Sequence, residues 1–376
     1  MRFAAPPSSL SIDRETALEM AALTFLAGDL GGTKTLLAIY GERDGQLQPL
    51  HEHRYRSGEW DCLETMLQHF LDGVPSDIPS PNSSCIAVAG PVVEGSAQLT
   101  NLPWIIEEKA LIRASGLQQL ELVNDFAVLI HGLPHLNQQQ QVVLQSPEPQ
   151  TDEADQRNLK GPVAILGAGT GLGMARGLPG ANGWIALASE GGHREFAPRS
   201  DAEWSLARWL REDLGIDRLS IERIVSGTGL GHVMRWQLQQ PSAKDHPLQG
   251  AAEAWRSRPV DHPTYQDLPA LVGQAAQAGD ALASAALDLW LGAYGSAAGD
   301  LALQELCTGG LWIGGGTAVK QLKGLQSPAF LEPMRRKGRF GAFVQGLRVS
   351  AVIDANAGLF SAACRARDLA TANSGS

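Results

Sequence analysis

Apolar residues along the chain gather in short, dense runs separated by longer stretches in which apolar and polar positions alternate with a helical period. The runs at residues 24–27, 35–40, 85–89, 120–123, 163–166, 311–313 and 347–353 predict strands. The periodic stretches at 62–71, 126–133, 202–213 and 275–306 predict helices. Strands alternating with helices in this way imply an α/β protein. Three polar stretches interrupt the pattern. Residues 1–23 read as a proline-containing tail, and Met20 just ahead of the first strand marks the preceding residues as an extension or an upstream start. Residues 137–160, with four consecutive glutamines at 138–141, read as a surface insertion between domains, and 237–263 as a loop with a short helix.

A chain of 376 residues is too long for one small core, so two domains sharing a cleft are expected. The apolar stretch 281–306 is interrupted by Asp288, Asp300 and Glu305, which marks a buried helix rather than a membrane span. Within it Gly295 and Gly299 predict close packing of a second helix. The balance of 30 Lys and Arg against 40 Asp and Glu gives a net charge of −10 and argues against a sequence-independent nucleic-acid binder. Cys62, Cys85, Cys307 and Cys364 form no CxxC pair, and no His cluster has zinc-ligand spacing, so reduced thiols in a cytoplasmic protein are expected. The N-terminal residues contain no continuous apolar run of the kind a secretory signal needs.

Glycine is in excess, at 42 residues of 376, and its placement carries the chemistry. The first cluster contains Gly28, Asp29, Gly31, Gly32, Thr33 and Lys34. It is not a P-loop, because that frame from Gly28 would need a glycine where Thr33 stands. The second contains Gly167, Gly169, Thr170, Gly171 and Gly173, and Leu172 and Met174 occupy the positions where a dinucleotide fingerprint would place its last glycine. What remains is a pair of strand–glycine–strand hairpins whose backbone N–H groups can form a nest for phosphate oxygens. Thr33, Lys34 and Thr170 add donors, and Asp29 is a carboxylate suited to a hydrated Mg²⁺. Either loop alone is also an ordinary hairpin turn. Residues 31–38 can be laid on 168–175 at an offset of 137, a weak repeat that suggests two related domains, each presenting such a hairpin. In the third cluster, Gly309 and Gly310 precede a short apolar strand that ends in Gly314, Gly315, Gly316 and Thr317. That suits backbone lying flat against a nucleotide base and ribose, or a packed strand-to-helix turn.

These three segments, in this order, resemble the phosphate-1, phosphate-2 and adenosine elements of the hexokinase, Hsp70 and actin ATPase superfamily. Further segments narrow the likeness: Asn101-Leu102-Pro103-Trp104, Leu122-Val123-Asn124-Asp125-Phe126, the second glycine loop, Glu190-Gly191-Gly192-His193, and Glu222-Arg223-Ile224-Val225-Ser226-Gly227. All resemble bacterial ATP-dependent glucokinases, from about residue 25 to residue 363. The related ROK branch adds a cysteine-rich zinc motif after its EGGH-like segment. No cysteine lies between His193 and Cys307 here, so the resemblance is to the non-ROK branch.

The resemblance implies a two-domain actin-like ATPase (ribonuclease H-like) fold with a central cleft. The small α/β domain would comprise 24–135 plus 354–376, and the large one 136–353. It implies ATP-dependent phosphorylation of D-glucose on the 6-hydroxyl, the first phosphorylation of glycolysis, with Mg²⁺, no membrane partner, and a homodimer. Asp125 would be the general base. Asn101, Asn124, Asp125, Glu190, His193 and Glu222 would bind the sugar, their amides and carboxylates matching a ring of hydroxyls. Asp29, Gly31, Gly32, Thr33, Lys34, Gly167, Gly169, Thr170, Gly171, Gly314, Gly315 and Gly316 would hold the nucleotide, with Mg²⁺ reached from Asp29 through water. Without the resemblance, Asn124-Asp125 is a helix cap, His193 a locally satisfied surface residue and Glu222 a partner of a helix dipole. Three features depart from the family pattern: Lys34 where asparagine is common, Ala188-Ser189 where Pro-Gly is common, and a variable stretch at Leu102-Pro103. A kinase of another hexose or amino sugar is the alternative enzyme reading. A non-catalytic sugar-responsive regulator is the alternative outside enzymes, against which the candidate base and the shortness of the 1–23 tail both count.

Overall fold

The structure is a computed structural model that describes residues 23–99, 102–147, 159–181, 183–260 and 262–373. Two units divide the chain: the described residues up to Gly132 together with those from Gly358, and Leu133–Ala357.

In the first unit, β1 (Thr24–Leu30), β2 (Lys34–Arg43), β3 (Gln46–Arg56) and β4 (Ser83–Val88) are followed by a small sheet of β5 (Val92–Val93), β6 (Ser96–Gln98) and β7 (Ile105–Glu107), and then by β8 (Leu120–Asn124). The main sheet has the order β3-β2-β1-β4-β8, antiparallel from β3 to β1 and parallel from β1 to β8. Alternate residues leave opposite faces of a strand. Phe25, Ala27, Ala38, Cys85 and Ala87 therefore pack on Leu359, Ala362, Ala363 and Ala366 of the helix Ala357–Asn373. Leu26, Leu37, Ile39, Ile86 and Val88 pack on Leu63, Met66, Leu67 and Phe70 of the helix Leu63–Asp72. Burial on both faces is why these strands appear in the sequence as unbroken apolar runs.

The second unit contains β9 (Gln141–Gln145), β10 (Val163–Ala168), β11 (Leu172–Gly180), β12 (Gly183–Ser189), β13 (Gly310–Gly314) and β14 (Val349–Val352), in the order β12-β11-β10-β13-β14-β9. From β12 to β14 the directions repeat those of the first unit, two antiparallel pairings followed by two parallel ones. The repeat seen in the sequence is thus a repeat of topology. Its hairpins close on Leu30 opposite Thr35 and on Ala168 opposite Leu172, so the first loop is one residue longer than the second. The offset of 137 therefore holds for the second strand of each hairpin and shifts by one for the first.

Three elements differ from the sequence expectation. The polar stretch at 137–160 is not wholly a surface insertion, since it supplies β9 at the sheet edge. Glutamine disguises this strand because its amide can be buried once every polar atom is paired. Gln141 accepts from Trp312 Nε1 (3.0 Å) and donates to the Leu136 carbonyl (2.9 Å). Gln145 accepts from Arg335 Nε (2.6 Å) and donates to the carbonyls of Val344 and Leu347 (both 2.8 Å). The expected helix at 275–306 is two helices, Leu268–Gln277 and Ala281–Glu305, parted at Gly279 with φ +90° and restarted by Asp280, whose Oδ1 accepts from Ala283 N (2.7 Å). At 126–133 the α-helix is confined to Leu129–Gly132 and is followed by the 3₁₀ turn Leu133–His135. The tail at 1–22 lies outside the described residues.

Gly295 and Gly299 let the helix Pro328–Arg335 approach so closely that a Cβ on either would collide with the carbonyl oxygens of Phe330 and Met334 respectively. Cys85, Cys307 and Cys364 are buried, and burial pushes the thiols of Cys307 and Cys364 up to about 12 and that of Cys85 well above its ordinary value. Among the described residues no helix is long and apolar enough to cross a membrane.

Gly295→Ala should lower the unfolding free energy by about 1–3 kcal/mol through overpacking against Phe330, read from urea denaturation. A thiol reagent at neutral pH should titrate Cys62 in the native protein and Cys85, Cys307 and Cys364 only after denaturation.

Candidate active site

In the first unit the candidate residues stand at the carboxyl ends of three adjacent parallel strands, where α/β sheets place their ligands. Register aligns Leu30 of β1 with Val88 of β4, and Val88 with Asn124 of β8. The loop Gly31–Thr33, the turn at Gly90 and Asp125 all follow directly. Asp125 N donates to the Val88 carbonyl (2.9 Å), which carries the ladder one residue past the strand. Asn124 organises the turn: Nδ2 donates to the Gly90 carbonyl and to Asp125 Oδ1, and Oδ1 accepts from Phe126 N and Ala127 N, all at 3.0 Å. Its amide is therefore both the cap that the residues alone suggested and the group that orients the Asp125 carboxylate. Asn101 lies outside the described residues.

The first glycine loop is held from below. Ser57 Oγ donates to the Gly31 carbonyl (2.7 Å) and shares a hydrogen bond with Thr35 Oγ1 (2.9 Å), while Ser57 N donates to the Thr33 carbonyl (3.1 Å). Gly31 N closes the turn on the Lys34 carbonyl (3.0 Å), which leaves the amides of Gly32 and Thr33 with no protein acceptor among the described residues. Asp29 is partly buried, its carboxylate 3.2 Å from where a Cβ at Gly358 would stand, in the first turn of the helix Ala357–Asn373. Desolvation pushes that carboxyl above its ordinary 3.8, with the charge of Lys34 working against the shift. No protein donor binds it among the described residues. Two adjacent unpaired amides and an unbonded carboxylate suit phosphate oxygens and a hydrated divalent cation respectively.

In the second unit the candidates converge on Leu172, the first residue of β11. Its N–H donates to Glu222 Oε2 (3.0 Å). Its carbonyl lies against Gly192, where a Cβ would collide with it, so the turn Gly191–His193 sits directly on this strand. Gly171 likewise leaves room for the Glu222 carboxylate. Within the turn, His193 Nε2 and Glu190 Oε2 are 3.7 Å apart and both side chains are exposed. Glu222 is in the short helix Ile221–Arg223, and its carboxylate is bonded to the hairpin rather than capping a longer helix.

The second glycine loop resembles the first in its bonding. Gly169 N donates to the Gly171 carbonyl (2.8 Å), and the amides of Thr170 and Gly171 have no protein acceptor among the described residues. Gly227 N donates to the Gly169 carbonyl (2.8 Å) and Thr228 Oγ1 to the Thr170 carbonyl (3.1 Å), which docks the helix Gly227–Gln237 on the loop. Gly167 and Gly314 are paired across β10 and β13. Gly315 has φ +80°, and a Cβ there would stand 2.6 Å from the Ala168 carbonyl oxygen, so both backbone shape and space require glycine. Gly316 begins the helix Gly316–Lys320, with Thr317 Oγ1 donating to that same carbonyl (2.7 Å).

Sequence reasoning missed the supports of this site. Tyr294 Oη accepts from Ala168 N (3.1 Å) and Trp290 Nε1 donates to the Ser226 carbonyl (2.9 Å), both from the middle of a helix where aromatic residues look like plain core. Ser226 caps Gly227–Gln237 by accepting from Gly229 N (2.9 Å), and a serine ahead of a Gly-Thr-Gly opening was the available signal. His232 donates Nδ1–H to the Arg223 carbonyl (3.0 Å), steadying the turn that carries Glu222. Burial holds its pKa below the ordinary 6.5, with the Arg223 carbonyl opposing the shift.

Comparison with known proteins identifies the family and the fold. A sequence profile described as Glucokinase matches residues 26–369. The glucokinase of Nostoc sp. is 37% identical over 347 residues, spanning 91% of this chain and 98% of that protein. The glucokinase of Synechocystis sp. is 37% identical over 352 residues, spanning 91% and 97%. The crystal structure of a glucokinase from an Antarctic psychrotroph superposes with a TM-score of 0.73 at 29% identity, covering 92% of this chain and 99% of that one.

Because folding keeps His232 neutral, the unfolded chain binds the extra proton first as pH falls through 6.5, so the stability that the neutral residue preserves is lost on acidification. The urea midpoint should fall between pH 7.5 and 5.5, and His232→Phe should reduce that fall.

Proposed function

The chain belongs to the glucokinase family, and on that premise we propose that it transfers the γ-phosphoryl group of ATP to the 6-hydroxyl of D-glucose, giving glucose 6-phosphate and ADP. The observation that carries this reading is the convergence at Leu172, where the turn bearing Glu190 and His193, the Glu222 carboxylate and a glycine loop with unpaired amides meet on one residue's backbone. Such a cluster offers acceptors for sugar hydroxyls beside donors for phosphate oxygens.

Asp125 accepts the proton of the 6-hydroxyl as that oxygen bonds to phosphorus, and ADP leaves with the electron pair of the broken P–O bond. Asn124 fixes the orientation of the base through its bond to Asp125 Oδ1. With Asn101, these residues and the Glu190, His193 and Glu222 side chains pair the hydroxyls of the sugar, so that an analogue lacking one leaves a protein group unpaired. Gly31, Gly32, Thr33 and Lys34 in the first loop, and Gly167, Gly169, Thr170 and Gly171 in the second, cradle the phosphates. The flat backbone at Gly314, Gly315 and Gly316 receives the adenosine. Asp29 would hold a hydrated Mg²⁺, which when bound neutralises charge on the phosphate oxygens. The likeness to the family also supports a cytoplasmic homodimer, which light scattering would test.

A coupled assay with ATP should show turnover of glucose above mannose, fructose and N-acetylglucosamine. Asp125→Asn should lower kcat by about 10²–10⁴-fold while calorimetry shows glucose binding largely kept; an unchanged kcat removes Asp125 from the role of base.

A further inference from the structure

The peptide that joins Gly31 to Gly32 is trans, so its C=O and N–H point in opposite directions. Whatever holds the Gly31 carbonyl therefore also aims the Gly32 amide, one of the two in the first glycine loop without a protein acceptor among the described residues. The holder is Ser57, at the start of the short helix Ser57–Glu59 that follows β3. Its Oγ donates to the Gly31 carbonyl (2.7 Å), and both Ser57 and Thr35 are fully buried. A hydroxyl has one proton, and Ser57 gives its own to Gly31. In the 2.9 Å contact between Ser57 Oγ and Thr35 Oγ1 the donor is therefore Thr35. The result is a directed chain, from the Thr35 hydroxyl to the Ser57 hydroxyl to the Gly31 carbonyl, in which each bond polarises the next.

The second glycine loop has the same device built from different residues. There Gly227 N holds the Gly169 carbonyl (2.8 Å) and Thr228 Oγ1 holds the Thr170 carbonyl (3.1 Å). The amides that these two peptides aim away from their ties are those of Thr170 and Gly171, which have no protein acceptor among the described residues. In both loops, then, an unpaired amide belongs to a peptide whose carbonyl is tied to the protein, and successive amides turned the same way suit an anion.

We propose that Ser57 is a positioning residue for the nucleotide: its hydroxyl, oriented by Thr35, aims the Gly32 amide at a phosphate oxygen. This role rests on the phosphate binding assigned to the loop under the proposed function, and not on which sugar accepts the phosphoryl group. Ser57→Ala removes the hydroxyl and keeps the backbone bond from Ser57 N to the Thr33 carbonyl. By calorimetry it should raise the Kd of a non-hydrolysable ATP analogue with Mg²⁺ about fivefold or more, the loss of one aimed hydrogen bond, while the Kd of glucose changes by less than about twofold. Equal weakening of both ligands, as general loosening would cause, overturns the proposal, and so does an unchanged nucleotide Kd. Thr35→Val replaces the orienting hydroxyl with a methyl and should act in the same direction. Added to Ser57→Ala it should raise the nucleotide Kd by less than about twofold more, because its effect passes through a hydroxyl already gone; full additivity overturns the relay. Should Ser57→Ala fold poorly, Thr35→Val decides alone, an unchanged nucleotide Kd again overturning the proposal. A wild type that binds the analogue and not glucose refutes the sugar assignment only, and the nucleotide Kd of the variants still decides the role of Ser57; one that binds no nucleotide overturns both.

Discussion

The close approach of two chain segments, the Gly191–His193 turn and the turn carrying Glu222, to the backbone of Leu172 is the constraint on which the candidate residues of the second unit depend. A strand residue ordinarily gives its N–H and C=O to neighbouring strands. Here the N–H binds the Glu222 carboxylate, and the face of the carbonyl is covered by Gly192. A Cβ at Gly192 would collide with the Leu172 carbonyl, and one at Gly171 would displace the Glu222 carboxylate from its place beside the hairpin. Because the hairpin also presents its unpaired amides within two residues of Leu172, groups suited to sugar and groups suited to phosphate share one rigid origin. Phosphoryl transfer gains most from that arrangement, since positioning and electrostatic stabilisation supply nearly all of its catalysis.

The first unit positions its own candidate residues with parallel strands. Leu30, Val88 and Asn124 lie in one row across the sheet, and the loops that follow them leave its carboxyl edge together. Asn124 then spends three hydrogen bonds of its amide within its own turn and the fourth on the Gly90 carbonyl beside it. A side chain saturated in this way has little freedom, and the aspartate it contacts inherits that order. The repeat of strand directions in the two units means that one hairpin design, a glycine turn with two unpaired amides, occurs at the equivalent edge of each sheet.

Much of this was legible in the residues. Both hairpins, the parallel strands buried on two faces and the glycine pair at 295 and 299 follow from local rules. Apolar runs need burial, an unshielded backbone offers amides, and small residues permit close packing. The edge strand Gln141–Gln145 was not legible, because its glutamines are satisfied by Trp312, Arg335 and carbonyls far away in the sequence. The break at Gly279 was hidden inside an apolar pattern that continues on both sides. Tyr294 and Trp290 looked like core and are core, yet their polar atoms hold Ala168 and Ser226 in place.

The sequence by itself determined the α/β class, the repeated hairpin and the family, because periodicity, glycine placement and short motifs are properties of neighbouring residues. Tertiary structure alone decided that Glu222 binds the Leu172 amide, that Asn124 reaches the Gly90 carbonyl of the neighbouring strand's turn and that the glutamines of the edge strand meet Trp312 and Arg335. The physical reason is that a polar group's behaviour depends on which donors and acceptors surround it. Those partners are brought together by the packing of segments distant in sequence, not by the residues on either side.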